Sequence, residues 1–202
     1  MATPNGKNVL ITGAGRGIGK GVAKYLAELG YNIAVHYYHS EEGALALCEE
    51  IRACGVKALP IRADLCDLDQ LAGVFQTVAE NWGHIDVMIN NSGITQYMDI
   101  LEATPEHFEL LTNVDWRATF FCTQYAAKNM IANGIHGVII NTSSVQCQTN
   151  HNGASVYASS KCAISKFTKH PAMELAPYKI RVNCIAPGHI KVLDPNVVLP
   201  RE

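Results

Sequence analysis

A parallel α/β sheet of about six strands, doubly wound with helices on both faces, is the fold class that this sequence predicts. Three observations carry it. Short apolar runs recur along the chain, stretches of helical periodicity separate them, and a glycine-rich turn joins the first run to the first helix. Runs this apolar belong to strands buried on both faces, and right-handed crossovers then place helices on each side of the sheet.

The elements follow in order. Asn8–Thr12 reads as the first strand. Ile18, Val22, Leu26 and Leu29 then line one face of a helix that Gly30 stops. Asn32–Tyr37 is a second strand, and Glu41–Cys54 a helix with Ala44, Leu47 and Ile51 on one side and Gly55 at its end. Lys57–Arg62 is a third strand, Asp67–Trp82 a helix capped by Asp67, and Ile85–Asn90 a fourth strand. A helical stretch from about Pro105 to Asn133 is expected in two pieces. Gly137–Asn141, a helix over Ser155–Ala176 and a strand over Arg181–Ile185 complete the pattern. Pro171 falls inside that last helix, where a missing N–H and a clash with the preceding turn predict a kink or an end near His170.

Composition narrows the function. At 202 residues the chain is long enough for one α/β domain spanning residues 1–202. The net charge is −2 with Lys and Arg dispersed, so nucleic-acid binding is not expected. No apolar run is long enough to span a bilayer, and the polar opening Met1–Lys7 lacks the apolar centre of a signal peptide. The seven cysteines are scattered without a Cys-x-x-Cys pair, which fits reduced thiols and a cytoplasmic location. The histidines show no ligand spacing, so no metal site is expected. Asn90-Asn91-Ser92 and Asn141-Thr142-Ser143 match the glycosylation pattern by chance, at the ends of buried strands.

Two motifs carry chemistry. Thr12-Gly13-Ala14-Gly15-Arg16-Gly17-Ile18-Gly19 follows a strand and opens a helix. Its glycines let backbone approach a pyrophosphate, and the helix start offers free N–H groups and a positive dipole end. Tyr157 and Lys161 stand four residues apart, on one face of a helix. An ammonium beside a phenol lowers the cost of the phenolate, as proton exchange with an alcohol oxygen requires. Ser144, thirteen positions before the tyrosine, supplies a hydroxyl for the same oxygen; the adjacent Ser143 is the alternative.

Taken together these residues resemble a short-chain dehydrogenase/reductase, over Asn8 to Gly188. Thr12-Gly13-x-x-x-Gly17-x-Gly19 is similar to the family's cofactor turn, and Asp64-Leu65 to the pair whose acid contacts adenine. Asn90-Asn91-Ser92-Gly93 is similar to its turn after the fourth strand, with Ser for Ala, and Asn113-Val114 to the position of its catalytic asparagine. Ser144, Tyr157-x-x-x-Lys161, Arg181-Val182-Asn183 and Pro187-Gly188 complete the set, with Ile190 just beyond as a further cofactor contact. The resemblance implies a Rossmann-type fold and a hydride transfer between a nicotinamide cofactor and a secondary alcohol or ketone. It implies Tyr157 as acid/base, Lys161 as its support and holder of the nicotinamide ribose, Ser144 as the group that orients the substrate oxygen, and Asn113 as the holder of a proton-relaying water. Asn113 as a mere helix bridge is the plainer alternative. Asp86 is given a structural role.

For the cofactor, the second strand ends Val35-His36-Tyr37-Tyr38-His39-Ser40 with no acid where NAD-dependent members carry one. Glu41 and Glu42 come late and start the next helix. Arg16, His39 and Ser40 are placed to hold a 2′-phosphate, which favours NADP(H) over NAD(H); a solvated Arg16 is the alternative. Ala126–Gln146 is similar to bacterial glucose 1-dehydrogenases, and other stretches to 3-oxoacyl-carrier-protein reductases. The polar rim Gln146, Cys147, Gln148, Asn150, His151 and Asn152 suits a hydroxyl-rich substrate, or is a solvated loop. The family pairs as homodimers or homotetramers through its last long helix and the one around Thr119–Met130. Two departures are expected to matter. The first is the ending: the family's final strand and lid are missing after Pro187-Gly188, leaving an exposed edge, and its usual threonine is replaced near Lys191-Val192. The second is Pro171. A non-catalytic nucleotide-binding or scaffold protein is the competing expectation.

Overall fold

The computed structural model describes residues 3–190. Six parallel strands form one sheet in the order β3-β2-β1-β4-β5-β6. They are β1 (Asn8–Ile11), β2 (Asn32–Tyr37), β3 (Ala58–Arg62), β4 (Val87–Asn90), β5 (Val138–Thr142) and β6 (Arg181–Ile185). The order reverses between β1 and β4, which pair Val9 with Val87 and Ile11 with Ile89. A crevice opens at the carboxyl ends of strands where such an order reverses, and ligands of this architecture bind there.

Helices α1 (Gly17–Glu28) and α2 (Glu41–Ala53) cover one face. Val9, Ile11, Ile33 and Val35 pack there against Ala23, Ala27, Ala44, Leu47 and Ile51. Leu10, Ala34, Met88, Ile139 and Val182 point the other way. They meet Leu71, Val74, Phe75 and Val78 of α3 (Leu68–Trp82) and Ala118, Cys122, Ala126 and Met130 of α5 (Ala118–Ala132). Asp67 caps α3 as expected, accepting the N–H groups of Asp69 at 2.9 Å and Gln70 at 3.1 Å. A buried polar network joins this layer to the sheet. The Asn90 amide donates to Asn141 Oδ1 (2.8 Å) and Thr123 Oγ1 (3.0 Å), and the Asn141 amide donates to Thr168 Oγ1 (3.0 Å). Asp86 is structural too, its carboxylate accepting the Asn8 N–H at 2.7 Å.

Burial is less even than the apolar runs predict. The edge strands β3 and β6 are only part-buried, and β3 tolerates Pro60 because it pairs on one side only, with β2. On the face covered by α1, no described helix lies over β4 and β5. Val87, Ile89, Val138 and Ile140 there line an apolar groove with Val22, Tyr25, Leu26 and Tyr31. Among the described residues β6 is the second edge; the expectations placed on Lys191-Val192 and beyond fall outside them. No described helix is long and apolar enough to cross a membrane.

Two helical expectations are corrected. The stretch after Pro105 is continuous rather than two pieces: α4 (Pro105–Leu111), a π-helical turn (Thr112–Arg117) and α5 follow without a break. Thr104 caps its start, accepting the His107 N–H, and Pro105 fits the first turn where no N–H is needed. The helix carrying Tyr157, α6 (Ser155–Glu174), runs through Pro171 and does not end at His170. The proline is buried and close to the end, so only the Phe167 carbonyl loses its partner. At the helix end the Leu175 N–H donates to Pro171 O at 2.9 Å.

Candidate active site

The glycine turn is built by the ends of β1 and β4. Thr12 Oγ1 accepts the N–H groups of Asn91 (2.9 Å) and Ser92 (3.0 Å), and the Asn91 amide donates back to Thr12 O (2.9 Å) and Gly13 O (3.2 Å). Gly13 has φ +63°, and a Cβ there would lie 3.0 Å from Ser92 Oγ. A Cβ on Gly19 would lie 2.6 Å from Gly13 O. Both positions therefore demand glycine. Arg16, the N-cap of α1, makes no side-chain cap bond, so the first N–H groups at Gly17, Ile18 and Gly19 are left for a ligand.

His36 secures this turn from below. It is 2% exposed, its Nδ1 accepts the Gly13 N–H (3.1 Å), and its Nε2 then donates to Ala63 O (3.1 Å). Burial lowers its pKa to about 4, so the imidazole is neutral in the fold. Sequence reasoning missed His36. Nothing local marks it, since its partners come from neighbouring strands.

A cavity of about 880 Å³ opens above the turn. Gly13, Arg16, Gly17 and Ile18 form its floor, His39, Ser40 and Asp64 one end, and Ser92, Gly93 and Val114 the other. Arg16 and His39 are exposed there, and Glu41 and Glu42 occupy the first turn of α2. Asp64 Oδ1 accepts the Cys66 N–H at 2.8 Å. Leu65 reaches the wall but is 6% exposed, its side chain packed in the core. Arg117, also missed, reaches across from the π turn and donates to Cys66 O.

Tyr157 and Lys161 stand on successive turns of α6; like Ser144, they are not in the cavity wall but lie behind it. Lys161 is 4% exposed and Tyr157 half-buried, with Nζ 5.5 Å from the centre of the tyrosine ring. Of the two serines, Ser143 is committed elsewhere: its hydroxyl donates to Lys161 O (2.8 Å) and accepts from Ser165 (2.7 Å). Ser144 Oγ accepts only the Gln146 N–H, at 3.2 Å, and keeps its proton for a ligand. Asn113 lies in the π turn, and its carbonyl accepts the Ala118 N–H in the i to i+5 pattern. Its side chain is not in the cavity wall; Leu110 and Val114 of the same stretch are.

Pro187, Gly188 and Ile190 are not brought into that wall. Pro187 O accepts the Val145 N–H at 3.1 Å, Gly188 sits against Val145, and Ile190 is exposed. The rim near Ser144 is more built than the sequence implies. The Gln146 amide donates to the Tyr97 hydroxyl (2.9 Å), and the Tyr97 ring stacks on His151 with centres 4.6 Å apart. Cys147 O accepts from the Cys162 thiol, while Gln148, Asn150 and Asn152 are exposed.

The glycine cradle, the free helix start and the volume of the cavity fit a dinucleotide, and the Tyr157–Lys161 pair lies just behind its Gly93 wall. Comparison with known proteins agrees. Residues 7–194 match the family model described as short chain dehydrogenase. The chain is 38% identical over 184 residues to the 3-oxoacyl-[acyl-carrier-protein] reductase FabG of Staphylococcus aureus, covering 91% of this chain and 74% of that protein. Acetoin dehydrogenase YohF from Salmonella typhimurium superposes with a TM-score of 0.90 at 32% identity, over 95% of this chain and 76% of that one. A short chain dehydrogenase from Burkholderia cenocepacia in complex with NADP does so at 0.87 and 34%, over 93% and 76%.

Proposed function

The chain belongs to the short-chain dehydrogenase family, and on that footing we propose that it interconverts a secondary alcohol and a ketone, with Tyr157 as acid/base and NADP(H) as cofactor. The supporting observation is the buried Lys161 ammonium set under the Tyr157 ring, one turn away on a single helix, and packed behind Gly93, which lines the cavity above the glycine turn. A bound nicotinamide supplies or accepts the hydride at the substrate carbon. Tyr157 Oη delivers the proton to the ketone oxygen in reduction and removes it from the alcohol in oxidation. Ser144 Oγ donates to the same oxygen and orients it, and Lys161 stabilises the phenolate and the nicotinamide ribose. Asn113 holds a water that passes protons to solvent. Gly13, Arg16, Gly17, Ile18 and Gly19 hold the phosphates, Asp64 and Leu65 the adenine, and Asn91, Ser92 and Gly93 the central ribose. Pro187, Gly188 and Ile190 close over the nicotinamide.

Preference for NADP(H) rests on Arg16, His39 and Ser40 at the cavity's adenosine end, where no acid follows β2 to meet a 2′-hydroxyl and Asp64, after β3, is the acid in the wall. A family neighbour binds NADP. For the substrate we favour a compact ketone with polar substituents, such as a 3-oxoacyl thioester or a sugar, on the strength of the Tyr97–Gln146–His151 rim and the reductase relative. We also infer one domain, cytoplasmic, paired as a homo-oligomer through α5 and α6, where Trp116, Phe120 and Phe167 cluster at the surface.

The test is Tyr157→Phe assayed with 3-oxoacyl and sugar substrates. Turnover is expected to fall roughly 10²–10⁴-fold, while NADPH still raises the thermal midpoint of the variant, and by more than NADH does. Unchanged turnover would remove Tyr157 from the mechanism. A cofactor-dependent midpoint shift with no turnover of any ketone by the unaltered chain would favour the non-catalytic binding protein.

A further inference from the structure

Behind the Tyr157–Lys161 pair lies a carboxylate that no motif marks. Asp115, in the π turn, is 0% exposed. Its Oδ1 accepts the Ile94 N–H at 2.9 Å. Its Oδ2 has no hydrogen-bond partner and lies 3.5 Å from Lys161 Nζ. Around the pair the chain is closed: Thr142 O stands 3.4 Å from Nζ, and a Cβ on Gly93 would come within 2.9 Å of Nζ and 3.1 Å of Asp115 Oδ1. Among the described residues neither group has another ion-pair partner.

A buried ammonium is costly unless a carboxylate faces it, and removing one partner leaves the other uncompensated. Burial raises the Asp115 carboxyl above its usual range, while Lys161 and the Ile94 N–H pull it back. The carboxylate thus serves two purposes at once. It neutralises the lysine, and through Ile94 it pins the turn after Gly93 to the π turn. An α-helix continuing through Thr112–Arg117 would aim this residue differently, and π turns of this kind concentrate at functional sites.

We propose that Asp115 is the positioning residue for Lys161, holding its ammonium charged beneath the Tyr157 ring and so setting the pH range in which Tyr157 works. The proposal rests on the acid/base reading of Tyr157. Facing groups are Lys161 and Tyr157 from α6, the Thr142 carbonyl from β5 and the Ile94 N–H from the turn after β4. Without the carboxylate the buried ammonium has no opposite charge to face, and the phenolate loses its support.

The test is the pH profile of alcohol oxidation by Asp115→Asn, which keeps an oxygen for Ile94, beside Asp115→Glu, which keeps the charge. For the Asn variant kcat is expected to fall at least about tenfold at neutral pH, and the rising limb to move up by on the order of one pH unit. The Glu variant restores the position of that limb. A wild-type profile from a folded Asn variant overturns the proposal while leaving the Tyr157 reading intact. The second measurement needs no activity: thermal midpoints of Asp115→Asn, Lys161→Met and the double variant. The pair predicts that the double loses less than the sum of the singles, or folds where Asp115→Asn alone does not. Additive losses overturn it. Should the unaltered chain turn over nothing, the Tyr157 reading fails by itself, and this cycle still decides whether the two charges hold one another.

Discussion

At the mouth of β1 the glycine turn closes on one imidazole, and that contact makes the fold sensitive to acid. His36 is held neutral, with a folded pKa of about 4 against an ordinary 6.5. Above 6.5 both folded and unfolded chains carry it neutral, so its contribution is complete. As pH falls from 6.5 to about 4 the unfolded chain takes up a proton that the native one refuses, and stability drops by on the order of 3 kcal/mol in all. Urea unfolding at pH 7, 5.5 and 4.5 should show this loss, and His36→Gln should flatten it; equal slopes in both proteins would mean other groups govern the acid limb. Tyr157 and Lys161 were legible because helical spacing alone places them together. Ser144 was separable from Ser143 only by interval, and the structure adds the reason: the Ser143 hydroxyl is already bonded to Lys161 O and Ser165. His36 and Asp115 were not legible. Their partners lie across strands or in another helix, and no local pattern encodes a contact that the topology creates.

At the scale of elements, periodicity and caps located the six strands and the helices α1, α2 and α3 to within a residue or two, since burial acts on each segment separately. The cap of α3 is the most testable of these. Asp67 holds two N–H groups, and its carboxylate also accepts from the Gln70 amide at 3.0 Å. Gln70 Oε1 in turn accepts the Asp64 N–H at 3.0 Å, so the cap extends to the Asp64 end of the cavity. Asp67→Ala should lower the thermal midpoint by roughly 2–4 °C and weaken NADPH modestly; an unmoved midpoint would show that the first turn stays formed without it. Hydrogen bonds from Gln70 depress the Asp67 carboxyl below its usual value, so the cap acts fully above pH 3.8 and is lost as pH falls through that lower value. The π turn and the continuation of α6 past Pro171 escaped the sequence for a common reason. Each depends on how the helix continues afterwards: a proline near a helix end breaks one bond only, and one extra residue in a turn leaves no mark on an apolar pattern.

Across the whole molecule, the reversal between β1 and β4 brings the glycine turn and the Asn91–Gly93 turn together at the carboxyl ends of the strands. That arrangement was legible through the order of motifs. Uneven covering of the sheet was not, because apolar strands predict burial on both faces without saying what supplies it. Val87, Ile89, Val138 and Ile140 face the open groove beside α1. An environment-sensitive apolar dye should therefore bind the folded 202-residue chain while its circular dichroism stays native, and Ile140→Lys should remove that signal. Dye binding that survives the substitution would place the apolar surface elsewhere. The groove also fixes how the protein will behave on the bench. Contacts made through charge weaken as salt is added, but contacts made through this face should strengthen in sulfate and loosen on chilling, since the force behind them fades in the cold. Samples that cloud when warm and concentrated should clear on ice.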